Sequence, residues 1–302
     1  MQAIKLKPTI TAFAHAIVSL QCALVALFLF ATIPVPASAQ QSASSNSQLT
    51  LFQLEVENQR RRLSSSETEE RRDAVTRLGS MKRPESSRAA AAGLRDSAAI
   101  VRASSTRAVL SLPPDEAAAL LIPLLQDRDE FVRQETSYAL GESRSLKAVS
   151  ALTSILERDK KDSVRGAAAV ALGQIGDESA VVPLAQLLGR RVAASGLINR
   201  VRRSKKDENE FVRRAAAHSL GEIRSRAAVP QLTAVLLDER APDDIRREAA
   251  TALGLIGDPA SVAAFRAVLA TRDPYLARIA YESLLKIAPA EATRPTGRAN
   301  LR

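Results

Sequence analysis

The sequence predicts an all-α fold, an α-solenoid, on three observations. The first is a recurring frame: an apolar residue, then Arg, then Leu seven residues later and usually Gly after it. It falls at Arg71, Arg102, Arg133, Arg165, Arg213 and Arg246, and once more at Ala277, where Ala replaces the Arg. Successive steps are 31, 31, 32, 48, 33 and 31 residues, and a near-fixed period of this size marks an array of stacked units. The second is periodicity, which within each unit is three to four residues and never two. The third is composition: hydrophobic residues reach 46%, aromatics only 3%, and Trp is absent. A core of Ala, Leu, Val and Ile favours closely packed helices over a sheet.

Along the chain, residues 1–39 read as a signal peptide. Lys5 and Lys7 precede the apolar run Cys22–Ala31, Pro34 and Pro36 break it, and Ala37-Ser38-Ala39 supplies a small-residue cleavage site. This predicts export, to the periplasm or beyond the cell, with cleavage near Ala39. The alternative is an inner-membrane anchor formed by residues 10–33, a run nearly long enough to span a bilayer. Cys22 is the only cysteine, so a cleaved chain would rely on neither disulfides nor thiol chemistry.

Residues 40–66 divide into a Ser/Gln/Asn-rich stretch, expected to be disordered, and a short lead-in helix over Leu49–Leu63. Ser66 and Glu69 have the spacing of a capping box for the first repeat helix. Residues 67–289 form the repeats. Each opens with a "frame helix", as in Ala168, Ala171 and Leu172 after Arg165, with Gly173 and Gly176 expected to end it. A "second helix" follows, as in Ala180, Val181, Leu184, Leu187 and Leu188; Ala148, Val149, Leu152, Ile155 and Leu156 repeat its pattern. The opening units are less regular: Val109 stands where Leu is expected, and Pro113-Pro114 makes the turn. Residues 290–302 lack an apolar period and read as a loose tail.

The segments ALGQIGDESAVVPLAQLL and ALGLIGDPASVAAF resemble HEAT repeats, in particular the short HEAT-like type of phycobilisome (PBS) lyases. The resemblance spans Glu67–Pro289: six helix pairs and a terminal half-unit, Tyr275–Ile287. It implies that second helices line a concave side and bind extended protein surfaces. On that reading the outward positions Leu120, Ile122, Ser150, Thr153, Ser154, Gln186, Gln231, Thr233 and Arg266 form a small, nearly uncharged strip suited to protein or peptide contact. The resemblance also implies a structural ladder. Asp lies six residues before the frame Arg in Asp96/Arg102, Asp127/Arg133, Asp159/Arg165 and Asp207/Arg213, and such pairs tie adjacent turns together.

The 48-residue step contains an insertion, residues 189–206. It carries Arg190, Arg191, Arg200, Arg202, Arg203, Lys205 and Lys206 and no acid. Without Lys5 and Lys7 the net charge of +10 falls to +8, and the insertion supplies +7 of that. The basic character therefore belongs to one arm, a candidate contact for an anionic lipid, glycopolymer or acidic protein. Nucleic acid is disfavoured as a partner, because export separates the two and aromatic residues to stack bases are scarce.

Catalytic readings find little. Beyond residue 39 the single histidine is His218, whose counterparts in other units are Tyr138, Val170 and Thr251. No second His or Cys accompanies it to share a metal, no His-Glu pair of the kind used by HEAT-type hydroxylases is present, and no GxSxG or phosphate-binding glycine pattern occurs. No catalytic residue, metal or cofactor is assigned. The expectation is a non-catalytic protein-binding scaffold or adaptor of the bacterial envelope. The alternatives are a PBS-lyase-like or chaperone-like factor, and a peripheral membrane-associated protein held by the basic arm.

Overall fold

A computed structural model describes residues 51–193 and 205–292. The signal segment, the proposed anchor 10–33, the stretch 40–50, the arm residues 194–204 and the tail 293–302 lie outside the described residues. Two compact units divide the chain at Glu55 and Val56; of the first, residues 51–55 are described, as helix. In the second unit, residues 56–62 are helical.

The second unit is a stack of helix pairs. Its frame helices are α1 (Thr68–Ser80), α3 (Ala99–Ala108), α5 (Glu130–Ser143), α7 (Asp162–Ile175), α9 (Glu210–Ile223), α11 (Asp243–Ile256) and α13 (Pro274–Ile287). The second helices are α2 (Pro84–Ala90), α4 (Pro114–Leu121), α6 (Val149–Arg158), α8 (Val181–Leu188), α10 (Val229–Leu237) and α12 (Val262–Val268). The fold is an all-α solenoid, as the periodicity predicts. Its apolar positions merge into one core running from Leu94 to Leu284, with Phe265 the bulkiest fully buried side chain. No pair could bury its stripe alone, so the stack itself supplies the core.

Local chemistry sets the boundaries. Asp129 caps α5 by accepting from the amides of Phe131 and Val132, and Asn209 and Asp273 do the same for α9 and α13. Gly176 and Gly257 end α7 and α11 with φ of 78° and 70°, the left-handed conformation glycine adopts freely. Arg144 and Arg224 hold the equivalent conformation after α5 and α9, with φ of 54° and 57°, at a steric cost glycine avoids. Pro123 lacks an amide donor, and there the second helix of its unit passes into a 3₁₀ turn, Ile122–Gln126.

Three local expectations are corrected. The capping box does not form: α1 starts after Glu67 with no side-chain cap. The carbonyls of Ser65 and Ser66 instead accept from Arg71, each at 3.0 Å. Gly173 does not end its helix but lies inside α7, where it permits close contact; a methyl group there would sit 2.8 Å from Cα of Ser219. The insertion opens and closes as an antiparallel ribbon, β1 (Arg191–Ala193) with β2 (Lys205–Asp207), pairing Arg191 with Asp207 and Ala193 with Lys205. Three-residue strands are too short to show a period of two.

The two helix layers are spaced differently. Frame helices α5, α7, α9 and α11 contact one another extensively, while neighbouring second helices touch sparsely. A methyl group added at Gly141 would sit 2.7 Å from Cα of Ala171, and one at Gly221 2.8 Å from Cα of Ala252. Glycine, alanine and serine at these contacts let the frame-helix backbones approach.

Candidate protein-binding surface

The frame arginines build one edge of the stack. Arg102 donates from Nε and Nη2 to the carboxylate of Asp127, at 2.7 and 2.8 Å. Its Nη1 donates to the carbonyl oxygens of Asp96 and Ser97, at 2.8 and 3.0 Å. Arg71 pairs in the same way with Asp96, at 2.7 and 2.9 Å, and Arg133 with Asp159, at 2.7 and 3.2 Å. Each guanidinium thus holds its own turn by backbone carbonyls and the next repeat by a two-pronged carboxylate bond, the strong geometry for this pair.

The ladder residues meet, but one repeat out of register from the sequence pairing. Asp96 pairs with Arg71 rather than Arg102, and Asp127 with Arg102 rather than Arg133. The Asp six residues before an Arg offers that Arg its backbone carbonyl and keeps its carboxylate for the repeat before. After the insertion the acid also changes. Asp207 lies in β2, and Arg165 bonds the buried Glu208 at 2.6 Å, together with Asp162 at 2.7 Å. Arg213 is buried in α9. A further rung joins Arg247 to Asp273 at 2.7 Å; it is displaced from the repeating frame and the sequence reading missed it.

Charge follows geometry. The hydrogen bond from Arg71 holds the Asp96 carboxyl below the usual carboxylate range. Burial acts to raise Asp127 and Asp159, yet the hydrogen bonds from Arg102 and Arg133 keep both below that range as well.

Of the strip read on the second helices, Ser150, Gln186 and Arg266 are exposed, while Leu120, Ile122, Thr153, Ser154, Gln231 and Thr233 are half-buried. Arg266 is engaged by Glu291 at 3.0 Å. Leu120 borders a mostly apolar groove of about 410 Å³ with Ala91, Leu94 and Leu124. Two residues before Arg266, Ala264 is buried.

The frame layer carries the larger apolar residues. Ile100, Phe131, Phe211 and Tyr275 are all exposed, by 38–61%. Each stands two residues before a frame position, in four of the seven repeats; Glu69, Ser163 and Asp244 hold that place in the other three. Phe211 lies over Gly166 of the repeat before, and the Tyr275 ring lies 5.2 Å from the Arg247 guanidinium, a cation–π distance. Polar contacts also cross from repeat to repeat in this layer: Arg107 pairs with Glu135 at 3.5 Å, and the His218 ring is hydrogen-bonded to Glu248 at 2.9 Å. The row was present in the sequence as a fixed offset from the frame.

Among the basic-arm residues, Arg190 is not free to meet an external anion. It donates to the Glu157 carbonyl at 2.7 Å and lies 3.8 Å from Glu208, at the C-terminal end of α6, where helix carbonyls attract a cation. Arg191, Lys205 and Lys206 lie on the ribbon. Arg200, Arg202 and Arg203 fall outside the described residues. Among the described residues no group of three His, Cys, Asp or Glu side chains is placed to hold a metal, and no helix is long and apolar enough to cross a membrane.

Comparison with known proteins agrees with this architecture. Residues 119–195 and 184–244 match the family profile of HEAT repeats, and residues 245–271 match that of the PBS lyase HEAT-like repeat. Together they span half of the chain. No curated protein sequence matches significantly. Among solved structures, the Escherichia coli protein YibA is similar at TM-score 0.52 and 19% identity, over 94% of this chain and 99% of that one. The CpcE–CpcF complex of phycocyanin lyase from Nostoc gives 0.46 and 23%, over 76% and 86%. Human deoxyhypusine hydroxylase gives 0.39 and 19%, over 80% and 98%. At these identities the likeness concerns the fold alone.

Proposed function

This chain belongs to the HEAT-repeat family, and on that premise we propose that it is a non-catalytic scaffold that binds a protein partner along its frame-helix face. HEAT-type folds generally work by binding protein partners, which gives the coarse reading. The observation that carries the finer one is the row Ile100, Phe131, Phe211 and Tyr275, which share one offset from the frame in a layer that also carries polar contacts between repeats. Large apolar and aromatic side chains beside charged groups form the usual composition of a docking surface. The second-helix strip, made of small residues, offers fewer anchors. The signal-like residues 1–39 support placing this scaffold in the bacterial envelope, and the basic insertion supports an auxiliary contact with an anionic surface.

The test is capture of partners from the native envelope by the full chain and by a Phe131→Ser/Tyr275→Ser variant. Loss of the captured protein with helicity unchanged supports the frame face; retention argues against it. A second reading, a PBS-lyase-like factor, draws support from the match over residues 245–271. It predicts a tetrapyrrole retained on incubation with bilins, and the scaffold reading predicts none.

A further inference from the structure

The sixth repeat departs from the ladder in a way that leaves a receptor for an acid. In the first three rungs the frame Arg receives the carboxylate of an Asp that lies six residues before the next frame position. For Arg246 that place, six before Ala277, is held by Thr271. The nearest acid is Asp273, two residues further on, where it caps α13 and bonds Arg247 at 2.7 Å. The two-residue shift along the turn moves the rung one residue along α11. Arg246 is thereby left out of the pairing.

Arg246 remains where a rung arginine belongs. Only 8% of it is exposed, against 7% for Arg102. Its Nε donates to the Leu236 carbonyl at 3.1 Å, and neither Nη1 nor Nη2 has a hydrogen-bond partner among the described residues. Its guanidinium borders an open cavity of about 770 Å³, lined also by Thr271, Arg272, Glu239 and Asp243. Arg272 is exposed and makes no ion pair among the described residues. The two Nη groups are therefore available to an anion that enters the cavity.

We propose that this cavity is a binding site for a carboxylate of a partner peptide, seated on the two Nη groups of Arg246, whose Nε is held by the Leu236 carbonyl. The planar fork of the guanidinium matches a carboxylate in two parallel bonds, and Arg272 adds a second positive charge at the mouth. Glu239, Asp243 and Asp273 also line the cavity, so the site favours a carboxylate whose neighbours are neutral or basic over one in an acidic run. The carboxylate comes either from a chain terminus or from an Asp or Glu side chain. This goes beyond the frame-face reading and does not depend on it.

The test titrates the full chain with three short peptides carrying a neutral dye: one with a free C-terminus and no acidic residue, the same peptide amidated, and the amidated peptide with one Asp. Binding of the first or third, at least tenfold tighter than the amidated neutral peptide, is expected, and which of the two binds identifies the source. The decisive variant is Thr271→Asp, which supplies the rung acid within the chain. It leaves Arg246 in place, and circular dichroism establishes that the helices persist. Peptide binding is expected to fall at least tenfold. Equal binding of all three peptides, or undiminished binding by Thr271→Asp, overturns the proposal.

Discussion

Frame helices α5, α7, α9 and α11 approach until backbone meets side chain across Gly141, Gly173 and Gly221, whereas second helices α6, α8, α10 and α12 barely touch their own kind. The frame layer also carries the buried guanidinium rungs at its edge, and the second-helix layer has none among the described residues. The two layers of helices thus have different tolerances. In the frame layer geometry is fixed by close approach and paired charge. In the second layer apolar burial alone holds each helix onto the frame pair beneath it.

The sharpest way to break this contrast is to remove a rung. Arg102→Ala strands the Asp127 carboxylate in a largely buried turn, which is expected to cost about 3 kcal/mol in chemical denaturation. Arg158→Ala, an exposed position on α6, is expected to change stability by less than about 0.5 kcal/mol. Equal losses would retire the ladder as a structural device.

The next largest effect concerns spacing. Gly221→Ala places a methyl group 2.8 Å from Cα of Ala252, so α9 and α11 must separate; the expected cost is about 2 kcal/mol. Ser150→Ala on the exposed face of α6 is expected to be neutral or slightly stabilising, through helix propensity. A tolerated Gly221→Ala would show that the frame layer is not packed to contact.

Acid distinguishes the layers more gently. Asp96, Asp127 and Asp159 have carboxyl pKa values held below the ordinary range, where the unfolded value is about 3.9. Their stabilisation is therefore complete above that value and is lost as pH falls through the lower folded values. Denaturation midpoints measured from pH 6 to pH 2.5 are expected to fall most steeply below about pH 4. The Arg102→Ala protein is expected to lose less over the same span. The smallest effect is Arg224→Gly, which relieves a left-handed residue at φ 57° and is expected to stabilise by about 1 kcal/mol, with calorimetry as the check.

Much of this architecture was legible because it depends on periodicity. The frame Arg, the Leu seven residues on and the 3.6-residue stripe all express which side of a helix is buried, a local property. The rung partners were not legible in the same way. A guanidinium reaches across to the following turn, so Arg71 meets Asp96 at a separation of 25 residues, while the six-residue Asp–Arg spacing reflects a backbone carbonyl contact. Nor did the pattern alone reveal Glu208, one residue past the ribbon, as an acid bonded to Arg165. The Gly, Ala and Ser content of the frame helices was the signal for their short spacing. The exposed residues Ile100, Phe131, Phe211 and Tyr275 make the frame face the docking surface proposed here in preference to the second-helix strip.

The proposed function has partners docking on the frame-helix face. Photo-crosslinking residues placed singly at positions 131 and 275, and at 150 and 186 on the second helices, test it in the native envelope. The account predicts protein adducts from 131 and 275 and few from 150 and 186. Adducts confined to 150 and 186 would contradict it, and so would a protein that captures no partner from any of the four positions.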